Sequence, residues 1–295
     1  MKLPLLLGSL ACLSLASPEL RFAPEEGSEV TKTFTSGLDL TLDSMEVLVT
    51  VHGEEHPLDE AMPEMTIQSS STYVFRDAYQ ACADGRPTKL KRHFETLESQ
   101  VKRHAELDGK VEDSENEKAS DLLGATVQFT WDDSEEGYKL AFADQAEDEE
   151  YDEALLEGQR VEADYTGLLP KEEVELKDTW EIDAEAFYWI TSPGGDLHLL
   201  AEDEDADESD DFDEQFHENL DGTIECTLDG IEDGIATVLL TGTFTTKVHM
   251  DIEPPEDAPE EAEEVETFRD MGFEYELEGK LLWDLKAHRA QSLEV

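Results

Sequence analysis

Short runs in which apolar and polar residues alternate recur along this chain, and a period of two is the signature of strands with one buried face. Val30, Lys32 and Phe34 alternate with Thr31, Thr33 and Thr35, and past Gly37 the leucines 38, 40 and 42 alternate with Asp39, Thr41 and Asp43. The region from Glu29 therefore reads as a strand pair or one bent strand, continued by Met45 to Val51. Thr72 to Tyr79 and Thr88 to Leu97 flank Ala83-Asp84-Gly85-Arg86-Pro87, a turn signal that predicts a hairpin. Ala125 to Trp131 and Tyr138 to Ala143 form a second pair, and Leu107 to Asp121 between the pairs is polar and reads as a loop. The same pattern returns later in the chain. Val174 to Ile182 is β-like, Ala186 to Thr191 is aromatic and β-prone, and Leu197 to Leu200 follows the Pro193-Gly194-Gly195 turn. Gly222 to Leu228, Ile235 to Met250 and Phe268 to Ala287 alternate strongly, the first two joined by a hairpin connection over Asp229-Gly230-Ile231-Glu232-Asp233-Gly234. No residue-level repeat between the halves proves a duplication.

One stretch has a different period. Tyr151, Ala154, Leu155, Val161 and Tyr165 recur at three- and four-residue steps while Glu150, Glu153, Glu157, Arg160 and Glu162 face away, which predicts an amphipathic helix over 148–167. Gly167 supplies the stop and Pro170 prevents resumption. The expected fold is α+β and mostly β, with curved antiparallel sheets in two β-rich halves, 17–147 and 168–295, around that central helix.

At the amino terminus, Lys2 and the apolar run Leu3 to Ala16 have the n-region and h-region of a signal peptide, with Ser14-Leu15-Ala16 as its cleavage site, so 1–16 is expected to be removed on export. No later run approaches the roughly 20 apolar residues of a membrane span, so no transmembrane segment is expected. Cys82 and Cys226 remain, and an exported chain could bridge them or keep them as buried thiols.

With 76 acidic and 21 basic residues the formal charge is −55. Such a field repels phosphate backbones and excludes non-specific nucleic-acid binding, while a saline medium screens it. Residues 202–214 hold ten carboxylates and 253–266 hold eight with three prolines, so both read as solvated acidic loops. Against this field stands a basic window of Arg86, Lys89, Lys91, Arg92, Lys102, Arg103 and Lys110, which would neutralise the chain's own acidic loops.

Candidate chemistry is sparse. His52-Gly53-Glu54-Glu55-His56 matches the spacing of inverted zinc peptidases, but Gly53 and Pro57 oppose the helix that such a site requires. Asp203, Asp205, Asp207 and Glu214 match EF-hand spacing, yet Glu208 stands where Gly is needed, which leaves weak divalent-cation binding. Among so many carboxylates none is singled out as a catalytic pair, and no cofactor motif is present, so no catalytic, cofactor or metal residues are nominated. Trp131, Trp180, Trp189 and Trp283 read as core or sheet-face residues.

Leu169-Pro170 with Val174, Asp178 and Trp180 resembles an L-P-x3-V-x2-G-D-x-W motif of uncharacterised exported bacterial proteins, with Lys177 in place of the glycine. Glu278-Gly279 and Leu282-Trp283-Asp284-Leu285 are similar to pieces of exported proteins of planctomycete type. The resemblance implies curved antiparallel sheets around a helix and no assigned activity. The expected function is an exported, non-enzymatic cell-envelope protein, periplasmic or extracellular, binding an unknown ligand or partner on a curved sheet. The alternative is a secreted hydrolase that uses an unidentified carboxylate pair.

Overall fold

The computed structural model describes residues 19–41, 47–51, 54–58, 64–107, 110–143, 151–184, 186–201, 215–216, 218–251 and 268–295. The chain is mostly β and its sheets are antiparallel. The first sheet contains β1 (Glu29–Thr41), β4 (Glu64–Ala83) and β5 (Arg86–Leu107) side by side. Beyond β5, at one end lie β7 (Thr126–Asp132) and β8 (Gly137–Phe142), and at the other β6 (Lys110–Ala119) and the two-residue β10 (Leu200–Ala201). The second sheet has the order β14 (Arg289–Glu294), β13 (Phe268–Asp284), β12 (Ile235–Asp251), β11 (Asp221–Glu232) and β9 (Thr179–Asp183). A separate hairpin pairs β2 (Val47–Val51) with β3 (Glu54–Leu58). Buried side chains from both sheets and from the segment between them make one continuous core.

The second sheet repeats the first strand by strand, β1-β4-β5-β7-β8 corresponding to β9-β11-β12-β13-β14. Each unit opens on the same turn: Ser28 donates its N–H to the Glu25 carbonyl at 3.0 Å, and Asp178 donates to Glu175 at 3.0 Å. The residue before the strand is left-handed in both, Gly27 at φ 81° and Lys177 at φ 77°. Those two residues donate to Tyr79 and Leu228, which in turn donate to Ser28 and Asp178. The second and third strands of each unit join through Asp-Gly, Asp84-Gly85 and Asp233-Gly234, with both residues at positive φ as a type I′ turn requires. The fourth strand of each ends on Trp-Asp, where Asp132 and Asp284 each accept the N–H two residues on at 2.8 Å. Each four-residue loop then closes on a left-handed residue, Glu136 or His288. Composition conceals this duplication, because equivalent core positions carry different residue types.

Several expectations need correction. Over 151–167 the expected amphipathic helix is absent, and the chain makes only single 3-10 turns at Glu153–Leu156 and Thr166–Leu168. Residues 158–162 instead pair with 194–196: Arg160 N–H donates to Gly194 O at 2.8 Å, Gly194 to Glu162 O at 3.0 Å and Asp196 to Gly158 O at 3.0 Å. Those backbone groups are taken by a neighbouring segment, so no helix can use them. The approach is close enough to demand glycine, since a Cβ on Gly195 (φ 90°) would stand 2.2 Å from the Gly158 carbonyl. Leu155, Val161 and Tyr165 still pack against the core, but not from one face of a helix.

The polar Leu107 to Asp121 stretch is not a loop, because 110–119 form β6, whose alternation is missing since nearly every side chain is exposed. Ala186 to Thr191 is a short helix, α1 (Ala186–Thr191), rather than a strand, held by Phe187 against Phe244 with ring centroids 4.4 Å apart. Cys82 and Cys226 are free thiols, each on a different sheet. The signal peptide 1–16 and the acidic loops 202–214 and 253–266 lie outside the described residues. No described helix is long and apolar enough to cross a membrane.

Candidate functional site

Beneath the segment expected to be helical lies a buried ionic network. Lys32 comes from β1, Asp77 and Tyr79 from β4, Arg92 from β5, and Asp164 from the covering segment. Each sheet residue occupies a core-facing place in an alternating pattern: Lys32 between Val30 and Phe34, Asp77 between Phe75 and Tyr79, Arg92 between Leu90 and Phe94. Asp77 and Arg92 are both fully buried. The Arg92 guanidinium grips the Asp77 carboxylate in a fork, Nε to Oδ1 at 2.8 Å and Nη2 to Oδ2 at 2.9 Å. Its remaining donors reach the carbonyls of Arg160 at 2.8 Å and Val161 at 3.0 Å, which fasten the covering segment to the sheet. Lys32 Nζ stands 2.8 Å from both Asp77 Oδ2 and Asp164 Oδ1, and Tyr79 Oη donates to Asp164 at 2.8–2.9 Å.

The electrostatics favour a fixed charge state. Burial by itself would raise the Asp77 pKa, but the charges of Arg92 and Lys32 outweigh it and bring it down to about 2. Burial and the adjacent Asp164 carboxylate push the Tyr79 phenol well above its usual range. Glu162, raised by burial and then by Asp164, accepts the N–H groups of Asp164 at 2.8 Å and Thr166 at 3.2 Å and also the Thr166 hydroxyl. These are the interactions of a turn cap, and both carboxylate oxygens are occupied.

The equivalent positions in the second unit are apolar. Register places Ile182, Cys226 and Leu240 where the first unit has Lys32, Asp77 and Arg92. The fold therefore closes without these charges. In the first unit they do something apolar residues cannot: they bind the carbonyls of an extended segment and give Asp164 a partner.

The covering segment leaves a groove at its exit. An open cavity of about 740 Å³ is bounded by 167–174 on one side and by β9 on the other. Trp180 Nε1 donates to the Leu168 carbonyl at 3.1 Å and ties the two sides together. Carboxylates of Glu172, Glu173, Asp178, Glu181 and Asp183 line it, with Lys171 and Lys177. Lys177 is engaged by Asp229.

Other sequence candidates fare differently. Glu54, Glu55 and His56 lie on strand β3, so the helix that an inverted zinc site needs is not formed there. Asp203, Asp205, Asp207 and Glu214 lie outside the described residues, among which no group of three or more His, Cys, Asp and Glu is placed to hold a metal. Within the basic window, Arg92 pairs with Asp77 in the core and Lys102 meets Glu115 of β6 at 3.1 Å, while the acidic loops lie outside the described residues. Arg86 lies over the Trp131 ring at 3.7 Å, while Trp283 is fully buried and Trp180 half-buried. The sequence reading missed the ionic network, although a charged residue in the apolar phase of three strands was its signal. Comparison with family models, curated proteins and solved structures finds no match to this chain.

Proposed function

We propose that this chain is an exported, non-enzymatic protein of the cell envelope that binds a partner in the groove beside β9. The observation that carries this reading is the state of the buried ionisable groups. Asp77, Asp164 and Glu162 are each held by hydrogen-bond donors or cations, so none is a free acid or base facing open space. These three carboxylates therefore act as structural anchors rather than as an acid–base pair. The groove offers recognition surface instead, with a rigid wall, exposed carboxylates and a strand edge. Export rests on Lys2 and the Leu3 to Ala16 run, and the Leu169 to Trp180 motif, which resembles exported bacterial proteins, agrees with it.

Two measurements test the proposal. Expression of the full chain in a bacterial host is expected to yield an envelope-fraction protein beginning at Ser17, and retention of Met1 in the cytoplasm refutes export. The purified protein is expected to turn over no glycoside, ester or peptide reporter. Turnover that disappears in Glu162→Gln overturns the non-enzymatic reading.

A further inference from the structure

We infer that the groove takes its partner by strand addition: a cationic, extended peptide pairs with the free edge of β9. This rests on the reading of the groove as a binding surface. Among the described residues β9 is the last strand of its sheet and pairs on one side only, with β11. Leu228 donates to Asp178 O at 3.1 Å and Ala184 donates to Gly222 O at 3.3 Å, which sets the ladder phase. Antiparallel alternation then directs the backbone groups of Trp180 and Ile182 to β11 and those of Thr179, Glu181 and Asp183 away from it. All five residues of β9 line the groove. Five residues of strand span roughly 16 Å, enough to register a short extended segment at the ordinary inter-strand spacing of about 4.8 Å.

Charge selects the occupant. Five carboxylates line the groove against two lysines, Lys171 and Lys177, the second already engaged by Asp229, so an incoming strand bearing Lys or Arg on alternate positions is attracted and an acidic one repelled. The same argument disfavours a second copy of this chain, which would set one β9 edge with Glu181 and Asp183 against another on molecules of formal charge −55. The groove is also prearranged, because the Trp180 indole bond holds the 167–174 wall to the strand and little ordering is left for binding.

The test uses the full chain and three synthetic ten-residue peptides: alternating Lys-Val, alternating Glu-Val, and Lys-Val with every second backbone nitrogen methylated. Binding is read by fluorescence anisotropy in 0.15 M NaCl, and amide exchange is read over 178–184. The Lys-Val peptide is expected to bind and to slow exchange at Thr179, Glu181 and Asp183. The Glu-Val peptide should not bind, and methylation should weaken binding at least tenfold. Glu181→Pro removes an outward N–H without touching the β11 ladder and should lower affinity to a similar degree. If this variant does not fold, the methylated peptide on the native chain carries the test. Equal binding of methylated and unmethylated peptides reduces the effect to counterion attraction and overturns the inference, as does no binding at all. Peptide recovered cut, as judged by mass, overturns the non-enzymatic reading instead, so the two failures are distinguishable.

Discussion

Replacing Asp77 by asparagine tests the role given to the ionic network. The substitution keeps the shape of the side chain and removes its charge, leaving the fully buried Arg92 guanidinium without a counterion. Breaking one partner of a buried pair costs about 3–5 kcal/mol, because a desolvated charge stays behind. An independent estimate comes from linkage. A carboxyl with a pKa of about 2 in the fold, against an ordinary 3.8, contributes about 2–3 kcal/mol above pH 4. Its folded pKa is depressed, so this contribution is present above the unfolded pKa and is lost as pH falls from about 4 through 2. Urea unfolding followed by tryptophan fluorescence, in 0.5 M NaCl to suppress the general acidic repulsion, should place Asp77→Asn at least 3 kcal/mol below the native chain at pH 7. The gap should narrow by about 2 kcal/mol at pH 2.5. The double variant Asp77→Leu with Arg92→Leu, which imitates the apolar second unit, should lose less than Asp77→Asn alone. A gap under 1 kcal/mol at pH 7, or one independent of pH, refutes the reasoning.

The remaining predictions follow from the duplicated frame and the charge. Lys177→Gly should raise stability by about 1 kcal/mol in the same urea assay, because Lys177 sits at φ 77° where the first unit has Gly27 and its exposed pair with Asp229 contributes little. Cys226, buried and with its thiol pushed up to about 12 first by burial and then by Glu225, should resist iodoacetamide at pH 8 until urea unfolds the chain. Mass and melting temperature should be the same with and without reductant, since both cysteines are free. Raising NaCl from 20 mM to 0.5 M should increase the melting temperature by screening repulsion among the 76 carboxylates.

Much of the strand pattern is legible in the sequence. Alternation located β1, β4, β5, β7, β8, β11, β12 and β13, because a sheet with one buried face imposes period two on any chain that forms it. The two Asp-Gly hairpin turns are equally local, since positive φ at consecutive positions restricts residue choice. In contrast, β6 leaves no pattern because both of its faces meet solvent, and α1 is aromatic enough to read as a strand.

The sequence by itself determined the antiparallel strands, their turns and the sign of the surface, all of which depend on near neighbours or on composition. Tertiary structure decided the rest. The apolar spacing of 151–167 suits a helix, but pairing of 158–162 with 194–196 took the backbone hydrogen bonds there and left only a 3-10 turn on either side. Lys32, Asp77, Arg92 and Asp164 are far apart in the chain and acquire a function only where two strand pairings and a covering segment bring them within 3 Å. The groove depends on the same circumstance, because its walls are distinct segments whose separation is set by packing rather than by any residue within them.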